Sequence, residues 1–74
     1  MAFDFSKLRG RIVEKFGTCA AFAAAVGLPA SSVSDRLNNR IMIDSDEILC
    51  WSQPDVLDIP ADEIHVYFLT PKVR

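Results

Sequence analysis

The sequence predicts an all-α domain, a bundle of about five short helices built around a helix-turn-helix. Three observations carry this. Thr18 to Asn39 reads as two short helices joined at Gly27, apolar residues recur at three- and four-residue spacing on either side of it, and Asp44 followed by Glu47 has capping-box spacing. With 74 residues, 50% of them hydrophobic, the chain suffices for one domain, 1–74, around one small core.

Asp4 or Ser6 caps a first helix running to Phe16, with Phe5, Leu8, Ile12 and Phe16 on its inner face and Gly17 as its stop. Gly10 lies mid-helix at a cost of about 0.5 to 1 kcal/mol relative to alanine, which leads us to expect close approach of a neighbouring backbone there. Thr18 is the N-cap of the second helix, where Phe22 and Val26 share a face and small Ala23 leaves room for a crossing helix. Gly27 takes the left-handed turn and Leu28 plugs the corner. Pro29 or Ser31 opens the third helix, whose Val33 and Leu37 point back to the core.

After Asn38-Asn39-Arg40 and Ile41-Met42-Ile43, a fourth helix is expected to begin near Ser45, with Ile43 and Ile48 at the staple positions. It should carry Ile48, Leu49 and Trp51 inward until Gln53-Pro54 ends it. Asp44, Asp46 and Glu47 read as helix-start chemistry rather than a catalytic or metal cluster. Val56, Leu57 and Ile59 bring apolar mass back, and Pro60-Ala-Asp-Glu63 starts a short fifth helix through His65-Val-Tyr-Phe-Leu69.

The third helix turns Ser31, Ser34, Asp35 and Asn38 away from Val33 and Leu37. Serine and asparagine can bond base edges in a major groove, and the Asp35 carboxylate can accept from a cytosine amino group, although any solvated helix shows a polar face. A net charge of −2 and a pI near 5.1 argue against a generic polyanion binder. The cations nevertheless concentrate early, and Lys7, Arg11 and Lys15 repeat every four residues as one positive stripe. Lys7, Arg11, Lys15, Asn39 and Arg40 are accordingly the expected phosphate contacts, with a solvated helix face as the rival reading of the stripe.

Cys19 and Cys50 form no recognisable framework, and neither stands at metal-ligand spacing from the lone His65. No nucleophile, base and acid set or phosphate-cradling loop is present, so no enzyme, metal or cofactor is expected. The chain has no apolar run of membrane-span length and no signal-peptide pattern, which gives a cytoplasmic expectation with no membrane partner.

The core Thr18 to Asn39, the opening Asp4-Phe-Ser-Lys-Leu-Arg-Gly-Arg-Ile-Val-Glu-Lys-Phe-Gly17 and the closing Glu63-Ile-His-Val-Tyr-Phe-Leu-Thr-Pro-Lys-Val73 together resemble the lambda-repressor-like helix-turn-helix family. The likeness is to its small Cro-type and repressor-type regulators of phages and prophages. It implies a stand-alone transcriptional regulator, commonly dimeric on a two-fold operator, with no enzyme activity and no cofactor. Position by position it assigns base reading to Ser31, Ser34, Asp35 and Asn38 with Ala30 and Ser32 at the leading edge, and a phosphate approach to Thr18 and Cys19. The outward face of the third helix lacks the Arg, Lys or Gln of the commonest bidentate base contacts.

Two functions follow. In the first, the chain binds double-stranded operator DNA as a homodimer, with 64–74 as a dimerisation tail through Tyr67, Phe68, Leu69 and Val73. The rival reading of that tail folds it back to complete the chain's own core. In the second function, the same fold is a protein-interaction module, an antirepressor or modulator of another regulatory protein, docking through the neutral face of the second and third helices or through the aromatic tail.

Overall fold

In the computed structural model, which describes residues 2–72, the helices are α1 (Ser6–Phe16), α2 (Cys19–Val26), α3 (Ala30–Leu37), α4 (Ser45–Trp51) and α5 (Ile64–Phe68), the last preceded by a 3-10 turn at Ala61–Glu63. Among the described residues the β structure is a single antiparallel bridge between Phe3 and Pro71. The expected all-α bundle is the observed architecture.

Phe5, not Asp4 or Ser6, stands at the N-cap of α1; Asp4, one residue earlier, accepts from the Ser6 N–H at 2.9 Å and the Ser6 hydroxyl at 2.6 Å. Gly17, at φ 82°, stops the helix in a conformation that glycine adopts without strain. Gly10 does not mark the expected close approach: a Cβ built there would meet nothing within 4 Å, so the site faces open space.

The turn between α2 and α3 forms where its local signals lie. Thr18 Oγ1 accepts from the Ala21 N–H at 3.1 Å, and left-handed Gly27 lets the Leu28 N–H reach back to the Ala23 carbonyl at 2.9 Å. Ala23 is buried where α2 and α3 pack, as its small side chain permits. Pro29 is the residue before α3, extended at φ −61° and ψ 147°.

Asp44 and Glu47 make both bonds of the capping box that opens α4. Leu49 departs from expectation, lying 57% exposed. It stands about 100° from Ile48 and farther still from Trp51, so a helix this short cannot turn all three inward. Pro60 likewise precedes a 3-10 turn instead of entering an α-helix directly.

The core centres on Trp51, whose ring meets Phe22 edge-on at 4.9 Å and Phe68 at 6.3 Å. Phe5, Leu8, Ile12, Val33 and Leu37 are buried around it as expected, while Phe16, Val26 and Ile48 are only partly buried at its margin. Their place is taken by Leu57, Ile59, Tyr67 and Phe68. The segment carrying Leu57 is tied to α1 by Arg11, whose guanidinium donates to the carbonyls of Leu57 and Asp58, each at 2.8 Å.

Candidate functional site

From Thr18 to Ser34 the chain has no Asp, Glu, Lys or Arg, and folding turns this stretch into one uncharged surface. Ala20, Ala21, Ala24 and Ala25 of α2 are exposed, as are Ala30, Ser31 and Ser34 of α3. Small side chains without charge allow a partner's backbone to come close at little desolvation cost. This face supplies nothing to neutralise a phosphate.

The rest of the outward face of α3 is occupied by the protein itself. Ser32 is half-buried and its carbonyl accepts from Arg36 Nη1 at 2.9 Å. Asp35 pairs with Arg40 at 3.3 Å. The Asn38 carboxamide donates to the Ser34 carbonyl at 2.9 Å, and its Oδ1 accepts from Arg9 Nη2 at 3.1 Å. Of the six residues assigned to base reading, Ala30, Ser31 and Ser34 remain exposed with no side-chain role in the fold beyond a 3.2 Å contact from Asn38 to Ser34 Oγ.

Of the expected phosphate contacts, Asn39 and Arg40 lie at the end of α3, and the others lie on α1 and at the start of α2. Lys7 and Arg11 lie over the Tyr67 ring, 5.4 and 5.7 Å from its centroid, so two members of the stripe turn toward α5. Arg11 also pairs with Glu14 at 3.0 Å, and that hydrogen bond holds its guanidinium above the ordinary arginine pKa. Lys15 is exposed on α1. Arg40 is paired with Asp35, Thr18 Oγ1 accepts from the Ala21 N–H in the helix cap, and Cys19 is half-buried. Asn39, at φ 63°, uses its carboxamide to bond the backbone N–H and carbonyl of Phe3.

One further pair fixes this face from behind. Arg36 of α3 donates to Glu47 of α4, with Nη2 to Oε2 at 2.8 Å, while Glu47 also accepts from the Asp44 N–H. Capping-box spacing made Glu47 conspicuous in the sequence; that its carboxylate also meets Arg36 is a tertiary fact with no local signal.

Of the residues assigned to a dimerisation tail, Tyr67 and Phe68 are buried in the chain's own core. Leu69 is 48% exposed, and Val73 lies outside the described residues. The fold-back reading of this segment accounts for both aromatics, Phe68 packing against Trp51 and Tyr67 lying buried beneath Lys7 and Arg11. His65 and Cys50 are exposed. Among the described residues no three His, Cys, Asp or Glu side chains gather where they could hold a metal, and no helix is long and apolar enough to cross a membrane.

Comparison with known proteins gives this geometry its context. The chain is similar to the modulator of repression (MOR) of the temperate bacteriophage TP901-1 from Lactococcus lactis: its solution structure superposes with a TM-score of 0.81 at 40% identity, covering 100% of this chain and 97% of that one. No curated relative matches the chain. The likeness to a modulator corrects the expectation of a Cro-type or repressor-type operator-binding regulator, and with it the expectation of double-stranded DNA as the partner. The uncharged surface of α2 and of the first turn of α3 is the physical counterpart of that correction. Residues 1–71 match the family described as protein of unknown function (DUF739), and the chain belongs to that family.

Proposed function

We propose that this chain is a phage modulator of repression, a protein-interaction module that acts on a repressor protein and not on operator DNA. The observation that carries the reading is similarity along the whole chain, at 40% identity, to a phage modulator of repression. The uncharged face of α2 and α3, centred on Ala20, Ala24, Ala30, Ser31 and Ser34, is the docking surface in this reading. Its chemistry supports that assignment, because protein interfaces are depleted of charge at their centres whereas nucleic-acid affinity requires phosphate neutralisation. The module performs no chemistry of its own, holds no cofactor, and works in the cytoplasm where repressor and operator meet.

The test is fluorescence anisotropy of a labelled operator duplex with the repressor of the same phage. The chain alone should leave the duplex unchanged at every salt concentration, and should shift the repressor–duplex signal at near-equimolar addition. A duplex bound by the chain alone, with affinity falling steeply as salt rises, would refute the reading. So would a repressor–duplex complex indifferent to a large excess of the chain.

A further inference from the structure

Phe3 is held along two edges. On one, residues 2–4 pair with 70–72: the Asp4 N–H donates to the Thr70 carbonyl at 2.8 Å and the Lys72 N–H to the Ala2 carbonyl at 3.2 Å, flanking the Phe3–Pro71 bridge. That register directs the N–H and carbonyl of Phe3 away from Pro71. Both groups are taken by a single side chain, with Asn39 Oδ1 accepting from the N–H at 2.9 Å and Asn39 Nδ2 donating to the carbonyl at 3.0 Å. The carboxamide offers Phe3 the donor and acceptor that a neighbouring strand would offer.

Asn39 is in turn positioned by the end of α3. Its own N–H donates to the Arg36 carbonyl at 3.2 Å, and its left-handed backbone turns the chain out of the helix. Behind the arm lies an apolar cavity of about 120 Å³, walled by Phe3, Phe5, Ile43, Ile48 and Phe68 and open to solvent on the side of the exposed Ile41, Met42 and Leu69, in which Asn39 is the one polar side chain. On the arm's other side is a polar hollow lined by Asp4, Arg9, Asn38, Asn39 and Lys72. The arm is a partition between the two. Its clamp bonds are exposed, and such bonds contribute little net stability each, which puts this partition among the parts of the fold that open most readily.

We propose that the Asn39 carboxamide is a latch joining the end of α3 to the segment ahead of α1. Engaged, it holds the arm along one wall of the apolar cavity; released, it lets the arm detach as a unit from residues 70–72 as well, and the cavity, already open beside Met42, exposes the further apolar surface that the arm covers. The inference does not rest on the partner assigned above. It gives the end of α3 control over how much apolar surface the protein exposes.

Amide hydrogen exchange of the full chain tests it, comparing the wild type with Asn39→Gly. Glycine accepts the left-handed backbone at position 39 without strain, so the change removes the clamp and spares the turn. The amides of Phe3, Asp4 and Lys72 should lose protection together, by about tenfold or more, while those of Ile12 and Val33 stay as in the wild type. Binding of an apolar fluorescent dye should rise in parallel. Faster exchange confined to Phe3 would overturn the latch, and so would a freed arm with no gain in dye binding. Phe3→Ala is the control, removing the ring from the cavity wall but not the backbone clamp. It should raise dye binding and leave Asp4 and Lys72 protected; loss of their protection would show that the ring, and not the carboxamide, holds the arm, which also overturns the proposal.

Discussion

Glu47→Ala removes three bonds from the joint between α3 and α4. The Glu47 carboxylate meets Arg36 Nε at 3.0 and 2.8 Å and Nη2 at 2.8 Å, and it accepts from the Asp44 N–H at 3.2 Å. The two side chains are only 15% and 18% exposed, so removing one partner leaves Arg36 poorly hydrated. Breaking a fully buried pair from one side costs about 3 to 5 kcal/mol, and the residual exposure discounts this to about 2. Losing half of the capping box adds about 0.5 to 1 kcal/mol, for a total near 2.5 to 3. In a domain of this size that lowers the melting temperature by about 10 to 20 °C. Urea and thermal unfolding followed by circular dichroism measure it, and a cycle with Arg36→Ala and the double variant should give a coupling of about 1 to 2 kcal/mol. Arg36 adds no pH dependence near neutrality. The Glu47 hydrogen bond raises its pKa, so its contribution is complete below the ordinary arginine value and is lost only as pH climbs through the higher folded one. A Glu47→Ala loss under about 1 kcal/mol with no coupling would refute the reasoning and reduce the pair to a surface contact.

Phe68→Glu places a carboxylate against Trp51 and should abolish folding at every protein concentration; a folded monomer seen by sedimentation and circular dichroism would return Phe68 to a subunit interface. Arg11→Ala should cost about 2 kcal/mol through the lost bonds to the Leu57 and Asp58 carbonyls, whereas Lys15→Ala should cost under about 0.5. Urea midpoints in the reverse order would disprove the structural role of Arg11. The Ser6 hydroxyl, with the Ser6 N–H second, holds the Asp4 carboxyl below its ordinary range. Its stabilisation is therefore complete above the ordinary carboxylate pKa and disappears as pH falls through the lowered one. Asp4→Asn should flatten the acid limb of the stability–pH curve, and a limb identical to the wild type would show that the Asp4–Ser6 bonds do not stabilise the start of α1.

The parts of the fold that were legible in the sequence are those specified by neighbours in the chain. Thr18, Gly27 and the Asp44–Glu47 box each act within one helical turn, so spacing alone placed α2, the turn, α3 and the start of α4. Apolar periodicity named most of the core, but it could not rank Leu49 against Ile48 in a helix of two turns, nor decide whether Phe68 turned inward or toward a second chain. The candidate site was harder to read because its meaning lies in what the charges do after folding. The Lys7–Arg11–Lys15 stripe is plain on a helical wheel, yet the Tyr67 ring opposite it arrives from the far end of the chain. The Arg40–Asp35 pair and the Asn39 clamp likewise engage groups that in sequence looked available to a ligand. A helix-turn-helix can present its second and third helices to DNA or to protein, and the fold by itself does not choose.

The central claim, that α2 and α3 face a repressor protein and not a duplex, is tested most directly by titrating the ¹⁵N-labelled chain with each in turn. The repressor of the same phage should shift or broaden the amide signals of Ala20, Ala24, Ser31 and Ser34 with an affinity nearly independent of salt, and the operator duplex should leave them in place. Movement of those signals by the duplex, weakening steeply with salt and with no response to the repressor, would contradict it.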